Sequence, residues 1–427
     1  MKRREFTRLA MGSSLGLAAT PLVLKSAHAA EPYRLGAVQA LTGTGSVSSK
    51  HSLNGIELAV EEINREGGFL ARHPIQLFVR DDQTKPDIAA REAKDLILRD
   101  RVRSIIGSFS SHLTLAIEEV AYEYKVLHIT ASANSESLSV GNYSPYTFLV
   151  VPNSYMEPKA QAKVIAKMAR DKGWKTFATF ASDYEWGHSN TDAFISEVQK
   201  AYPEFKLVKQ FWPKAGETEF SSYVTAIMSA KPDFVFASIS GTDAYAWMRQ
   251  ARAYGFFEKI PYTALVALTE MMTLKDDLPR GIISVSRAPF YANMDVPMMA
   301  AMVKNYRAKF DGLYPTDFAV MHYDAVYALK QAIEKAASID TEKVKAAMKG
   351  MTVETTRGKL RFRDIDNQMD APSYVGIIAD DPAYPFPITK DTVKFPGNET
   401  WRPESEIPAL RKASGLAKRR TAADLEV

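Results

Sequence analysis

Between Tyr33 and Val285 the chain alternates short apolar runs with amphipathic stretches, and nothing else in it restricts the fold as much. Tyr33–Val38 reads as a strand, and the stretch after it sets Ile56, Val60 and Ile63 on one helical face before Gly67-Gly68 stops it. The rhythm repeats: strand Gln76–Arg80, a helix opened by Pro86 and carrying Ala90, Ala93, Leu96 and Ile97, strand Ser104–Gly107, helix Ser111 to Tyr124, strand Val126–Thr130. It restarts after Pro152 with helix Glu157–Lys172, strand Thr176–Phe180, helix Ser189–Ala201, strand Leu207–Phe211 and helix Phe220–Ala230. Strand Phe234–Ser238, helix Asp243–Tyr254 and strands at Tyr262–Leu265 and Ile282–Val285 follow. Such alternation calls for mostly parallel sheets covered by helices on both faces. One sheet cannot easily absorb so many units, so two similar α/β domains are expected, and 427 residues suffice for them. The helices Val296–Phe310 and Thr316–Ala337 fit either domain on periodicity.

The two ends of the chain read differently from its body. Residues 1–29 hold Lys2, Arg3, Arg4, Arg8 and Lys25 against Glu5 alone, which accounts for the whole formal charge of +4 and leaves the rest balanced. An apolar run from Leu9 to Leu24 and the small residues of Ala27-His28-Ala29 complete the pattern of a signal peptide cleaved after Ala29. Lys2-Arg3-Arg4-Glu5-Phe6 resembles the twin-arginine signal of bacteria, with Lys2 where a Ser or Thr is usual. No later segment has the roughly 20 uninterrupted apolar residues of a membrane span, so a soluble, exported protein is expected. At the other end, Arg411-Lys412 and Lys418-Arg419-Arg420 gather charge with little apolar material between them, which predicts a frayed, solvated tail.

The body offers little catalytic chemistry. With no cysteine, thiolate metal sites, thiol nucleophiles and disulfides are excluded. A balanced charge gives no general support for nucleic-acid binding. Seven histidines are scattered without ligand spacing, and no phosphate-binding loop, H-E-x-x-H or G-x-S-x-G motif is present. Thr42-Gly43-Thr44-Gly45-Ser46-Val47-Ser48 follows the first strand as a nucleotide fingerprint would, but Ser48 takes the place of the third glycine. No enzyme activity, cofactor or metal is therefore expected.

What remains is a set of polar residues at strand ends. Open α/β sheets bind ligands beyond the carboxyl ends of their strands, at helix N-termini whose free N–H groups attract anions. Ser46–Ser48, Ser108–Ser111, Ala131–Asn134 and Asp183–Gly187 all occupy such places. Each is also a ready helix cap. Their joint placement at successive strand ends points to a pocket.

Asn54-Gly55-Ile56-Glu57-Leu58-Ala59-Val60-Glu61-Glu62-Ile63-Asn64-Arg65-Glu66-Gly67-Gly68 resembles the solute-binding proteins of branched-chain amino acid (Leu/Ile/Val) ABC transporters. Asp81-Asp82-Gln83, Ile106-Gly107 with Ser110-Ser111, and Gly241-Thr242-Asp243-Ala244 with Gln250-Ala251 extend the resemblance, which runs from about Tyr33 to Ile378. It implies a type I periplasmic binding fold: two Rossmann-like lobes with parallel sheets, joined by three crossovers near Val151–Asn153, Pro289–Ala292 and Arg363–Asp366. Lobe 1 is then expected over 30–152 and 292–364, lobe 2 over 153–291 and 365–395, with 396–427 as a C-terminal extension. By the same resemblance Ser111, Ser132 and Asn134 hold an amino acid's carboxylate, with Ser48 nearby, Trp186 is the second-lobe aromatic and Glu270 receives the ammonium group. Phe109 and Tyr184 add aromatic surface to this cleft. The implied function is that of a monomeric periplasmic component of an ABC importer, delivering a small amino acid or amide-like solute to permease subunits in the inner membrane. Asn134 stands where a Thr is familiar and Ser48 where an aromatic can occur, so an aromatic carboxylate or urea, or a sensing role beside a membrane receptor, stays open as an alternative.

Overall fold

A computed structural model describes residues 31–425; the signal-peptide reading of residues 1–29 falls outside them. The first half of the rhythm forms β1 (Tyr33–Gln39), α1 (Ser46–Arg65), β2 (Ile75–Asp81), α2 (Pro86–Leu98), β3 (Ser104–Ile106), α3 (Ser111–Tyr124), β4 (Leu127–Thr130) and β5 (Thr147–Leu149). Its five strands make an all-parallel sheet in the order β2-β1-β3-β4-β5. The second half gives α4 (Met156–Lys172), β6 (Thr176–Ala181), α5 (Glu185–Ala201), β7 (Lys206–Phe211), α6 (Ser221–Ala230), β8 (Phe234–Ser238), α7 (Thr242–Ala253), β9 (Tyr262–Leu265), α8 (Leu268–Leu274) and β10 (Ile283–Ser286).

The chain then builds α9 (Pro297–Lys309), α10 (Asp317–Ala336), α11 (Thr341–Met348), the hairpin β11 (Thr352–Thr355) and β12 (Gly358–Arg361), then β13 (Ser373–Ala379) and β14 (Ile388–Phe395). The last two strands were not legible as such, and they enlarge the second sheet. Its order is β14-β13-β10-β9-β8-β6-β7, with β13 antiparallel to both neighbours and the rest parallel. Two α/β lobes of the type I periplasmic binding architecture result.

Packing explains the sequence motif around Gly55. A Cβ there would lie 2.1 Å from the Ala319 carbonyl oxygen, so only glycine lets α1 lie this close to α10. Ile56, Ala59 and Ile63 of α1 pack in one cluster with Val326, Leu329 and Ile333 of α10, so α10 completes the first lobe although it follows the second in sequence. In the second lobe Phe180, Phe220 and Trp247 fill one face of the sheet, and Phe194 stacks on Phe236 at 4.1 Å on the other. Full burial of each such ring contributes about 1.5–3 kcal/mol.

The chain passes between sheets after β5, after β10 and again between β12 and β13. These passages are bonded to one another. Gln368 Nε2 donates to Val151 O at 2.8 Å and Asn367 Nδ2 to Thr147 O at 3.1 Å. Arg357 is fully buried, paired with Asp324 of α10 at 3.1 Å, and donates to Val150 O at 2.8 Å.

The expectation of a frayed, solvated C-terminal tail is corrected. α12 (Gly397–Thr400), α13 (Ile407–Ala413) and α14 (Ala422–Leu425) lie on the body, with Ile407, Leu416 and Arg420 buried. Arg411, Arg419 and Arg420 dock because acceptors and aromatic faces await them, whereas Lys412 and Lys418 stay exposed as expected. No helix among the described residues is long and apolar enough to cross a membrane.

Candidate ligand-binding cleft

The parallel strands of each sheet reverse their order at one point, between β1 and β3 in the first and between β6 and β8 in the second, and the loops beyond those points open a crevice. The two crevices face each other. The space between them is narrow, with about 20 Å³ open to the centre of a water-sized sphere, and it is partly continuous with solvent. Phe109, Ser110, Ser111, Ser132, Ala133 and Asn134 line it from the loops after β3 and β4. Tyr184, Trp186, Ser240, Leu265 and Arg287 line it from the second sheet, and Phe318 from the start of α10.

The first wall is hydroxyls and backbone. Ser110 is extended (φ −103°, ψ 147°) and gives α3 no side-chain cap, so N–H groups of that helix's first turn remain for another partner. Ser111 Oγ accepts from Ser135 N at 3.1 Å, and Ser132 Oγ donates to Phe109 O at 3.2 Å. Asn134 spends both amide donors inside the protein, on Pro152 O at 2.7 Å and Glu157 Oε2 at 2.8 Å. A ligand therefore meets serine hydroxyls and helix N–H groups here, and of Asn134 only the Oδ1 acceptor, which has no partner among the described residues.

The second wall is aromatic and carries one charge. Tyr184 stacks on Trp186 with centroids 6.0 Å apart, and His112 meets Tyr184 edge-on at 5.3 Å. Burial holds His112 below its ordinary pKa, so it stays neutral near pH 7. Phe109 leans on Phe318 at 5.8 Å. Arg287, just past β10, is the one charged side chain among the lining residues. Its Nε donates to Glu157 Oε1 at 2.6 Å, Nη2 to Glu157 Oε2 at 3.1 Å and Nη1 to Ser132 O at 3.0 Å. Each terminal nitrogen thus keeps a second N–H, whereas both Glu157 oxygens are occupied.

Six of the eight expected site residues, Phe109, Ser111, Ser132, Asn134, Tyr184 and Trp186, meet at this cavity. Ser48 and Glu270 are not among its lining. Ser48 is buried in the first turn of α1, where its carbonyl accepts from Ser52 Oγ at 3.3 Å. Glu270 is buried in α8 and accepts from Thr269 Oγ1 at 2.7 Å; burial pushes its pKa up to about 7. Arg287 and Ser240 went unremarked in the sequence, although both follow apolar strands as the flagged serines do.

The lobes touch around the cavity. Ser135 and Ser137, in the loop after β4, both donate to Glu185 Oε1 at the start of α5, each at 2.5 Å. Gly241 approaches the Thr44 carbonyl so closely that an added Cβ would lie 2.7 Å from it, and its φ of +66° also favours glycine. Gly43, Thr44, Thr84, Ala215 and Asp243 border a wider outer mouth that shares Phe109, Ser110, Tyr184 and Ser240 with the cavity. Among the described residues no group of three or more His, Asp or Glu is placed to hold a metal ion.

A family model described as periplasmic binding protein matches residues 32–382. The leucine-, isoleucine-, valine-, threonine-, and alanine-binding protein of Pseudomonas aeruginosa is 24% identical over 337 residues, which cover 78% of this chain and 86% of that protein. A periplasmic binding protein from Burkholderia mallei superposes with a TM-score of 0.78 at 20% identity, covering 88% of this chain and 98% of that one. A solute-binding protein of an ABC transporter from Rhodopseudomonas palustris, solved in complex with benzoate, gives 0.74 at 21% identity over 84% of this chain and 96% of its own.

Proposed function

Because the chain belongs to the periplasmic binding protein family, we propose that it is the solute-binding component of an ABC importer, closing two lobes on a small solute with no covalent step. The observation that carries this reading is a single cavity lined from the carboxyl ends of both sheets. Lobe 1 is taken as residues 30–152 and 292–364, lobe 2 as 153–291 and 365–395. The family implies an exported, periplasmic protein. Residues 1–29 would carry the export signal, and permease subunits of the inner membrane would receive the solute from the monomer.

The polar head of the solute is assigned to Ser111, Ser132 and the first turn of α3, and its apolar body to Phe109, Tyr184 and Trp186. The relative from P. aeruginosa is named for amino acids and the one from R. palustris was solved with benzoate, so both classes are candidates. An amino acid or amide-like head fits the serine wall. A specific observation favours an aromatic carboxylate over an amino acid: the lining offers Arg287 to an anion and no acidic side chain to an ammonium group. Calorimetric titration with matched pairs, 3-phenylpropionate against phenylalanine and 4-methylpentanoate against leucine, tests this choice. Tighter binding of the amine-free partner in each pair is expected. Preference for the amine-bearing partners restores the amino-acid reading, and failure of every amino acid, aromatic acid and amide to bind removes the solute-binding reading itself.

A further inference from the structure

After β14 leaves the second sheet, the chain does not end on the second lobe. α12 lies beside α4, where Lys159 Nζ donates to Trp401 O at 3.2 Å, and the Arg402 guanidinium sits 3.9 Å over the ring of Tyr155. All of that is second lobe. The same guanidinium reaches the first lobe: its Nε and Nη2 donate to the two Glu136 oxygens at 2.6 and 2.7 Å. Beyond it the chain runs along the first lobe and is anchored at Arg420. That side chain donates to Tyr143 O, to Asn142 O and to both oxygens of Glu119, each at 3.0 Å, and covers the ring of Tyr122 at 4.1 Å.

We infer that residues 397–425 act as a strap, a fourth connection between the lobes beside the three crossovers, with Arg402 as its clasp and with the closed arrangement as the state it favours. The inference rests on the proposed lobe closure. Its physical basis is that Glu136 stands between Ser135 and Ser137, the residues that hold Glu185 of the second lobe. Glu136 and Tyr155 lie on either side of the first crossover, where Ser154 Oγ accepts from Glu136 N at 2.8 Å and Arg363 Nη1 donates to Arg402 O at 2.8 Å, so an opening that parts Glu136 from Tyr155 loses the bidentate pair or the ring contact. The far anchor, on α3, keeps the strap from following the second lobe outward.

The absence of cysteine makes the test direct. In the full chain, Asp87→Cys and Glu219→Cys, exposed positions on either side of the mouth, carry a donor and acceptor pair for single-molecule energy transfer. Arg402→Ala and Glu136→Gln, which remove the clasp from either side, are each expected to lower the closed fraction of the ligand-free protein about fivefold. Where sodium benzoate or leucine binds, its dissociation rate rises by a similar factor. Arg402→Lys, which keeps the charge and loses the fork, recovers part of the change. Unchanged distributions in folded Arg402→Ala and Glu136→Gln overturn the inference. If neither benzoate nor leucine binds, the solute reading is in question, yet the ligand-free distributions still decide the strap.

Discussion

The two walls of the cleft are built by the same rule and end in opposite chemistry. Both stand at the carboxyl ends of parallel strands, yet the first presents serines and helix N–H groups and the second presents Tyr184, Trp186, Leu265 and one guanidinium. The first wall can fix the direction of a polar head through oriented donors. The second supplies apolar area, which scales with the solute's body, and a full charge. Orientation on one side and attraction on the other leave the family's shared frame free to accept different solutes by changing a few strand-end residues.

The largest expected effect tests whether the second wall's charge is independent of its fold. Arg287→Ala leaves Glu157 buried without its partner and should destabilise the protein by about 3 to 5 kcal/mol, seen as a fall in melting temperature. Arg287→Gln combined with Glu157→Gln removes both charges while keeping hydrogen-bonding groups, and should recover most of that stability. In that double variant affinity for a carboxylate should drop at least about tenfold and affinity for the matching primary amide should not. Equal losses for acid and amide would place the role of Arg287 in shape alone.

Next comes Glu270, which distinguishes a site for ammonium from a buried acid. Its folded pKa of about 7 lies above its ordinary 4.5, so the folded state binds a proton more tightly than the unfolded one. The stability associated with that proton is complete below pH 4.5 and is lost as the pH rises to 7. Glu270→Gln should therefore flatten this decline and raise stability at pH 8 by up to about 3 kcal/mol, read by denaturant titration across the range. Solute affinity should stay unchanged. A marked loss of affinity for an amine-bearing solute would restore its ligand role.

The smallest effect belongs to the first wall. Ser111→Ala removes one hydroxyl beside an otherwise intact helix N-terminus and leaves Ser135 N–H without its acceptor, so binding should weaken by about tenfold with a modest loss of stability. No change in a titration would mean that the backbone N–H groups alone orient the head.

The alternation of elements was readable because each unit follows from local periodicity, and Gly55 was readable as part of a motif whose cause is the approach of Ala319. The serine loops were readable because a strand end is a local property. Arg287 was not, since an isolated arginine in sequence implies a solvated surface and its partner Glu157 is 130 residues away. The strap was misread for the same reason. Arg420 finds its acceptors at Glu119, Asn142 and Tyr143, and no pattern near residue 420 announces them. Glu270 carried a familiar position, but its burial beside Thr269 depends on how α8 packs.

Because α1 can seat Gly55 only after Ala319 has been made, the first lobe lacks its full core until α10 has emerged from the ribosome. The second lobe waits longer still, because β13 and β14, which complete its sheet beside β10, follow α10 in the chain. Domains tend to fold as units during synthesis, yet here neither lobe can be finished until most of the chain has been made. Until α10 packs on α1, Ile56, Ala59 and Ile63 lack the Val326, Leu329 and Ile333 partners that bury them in the finished lobe.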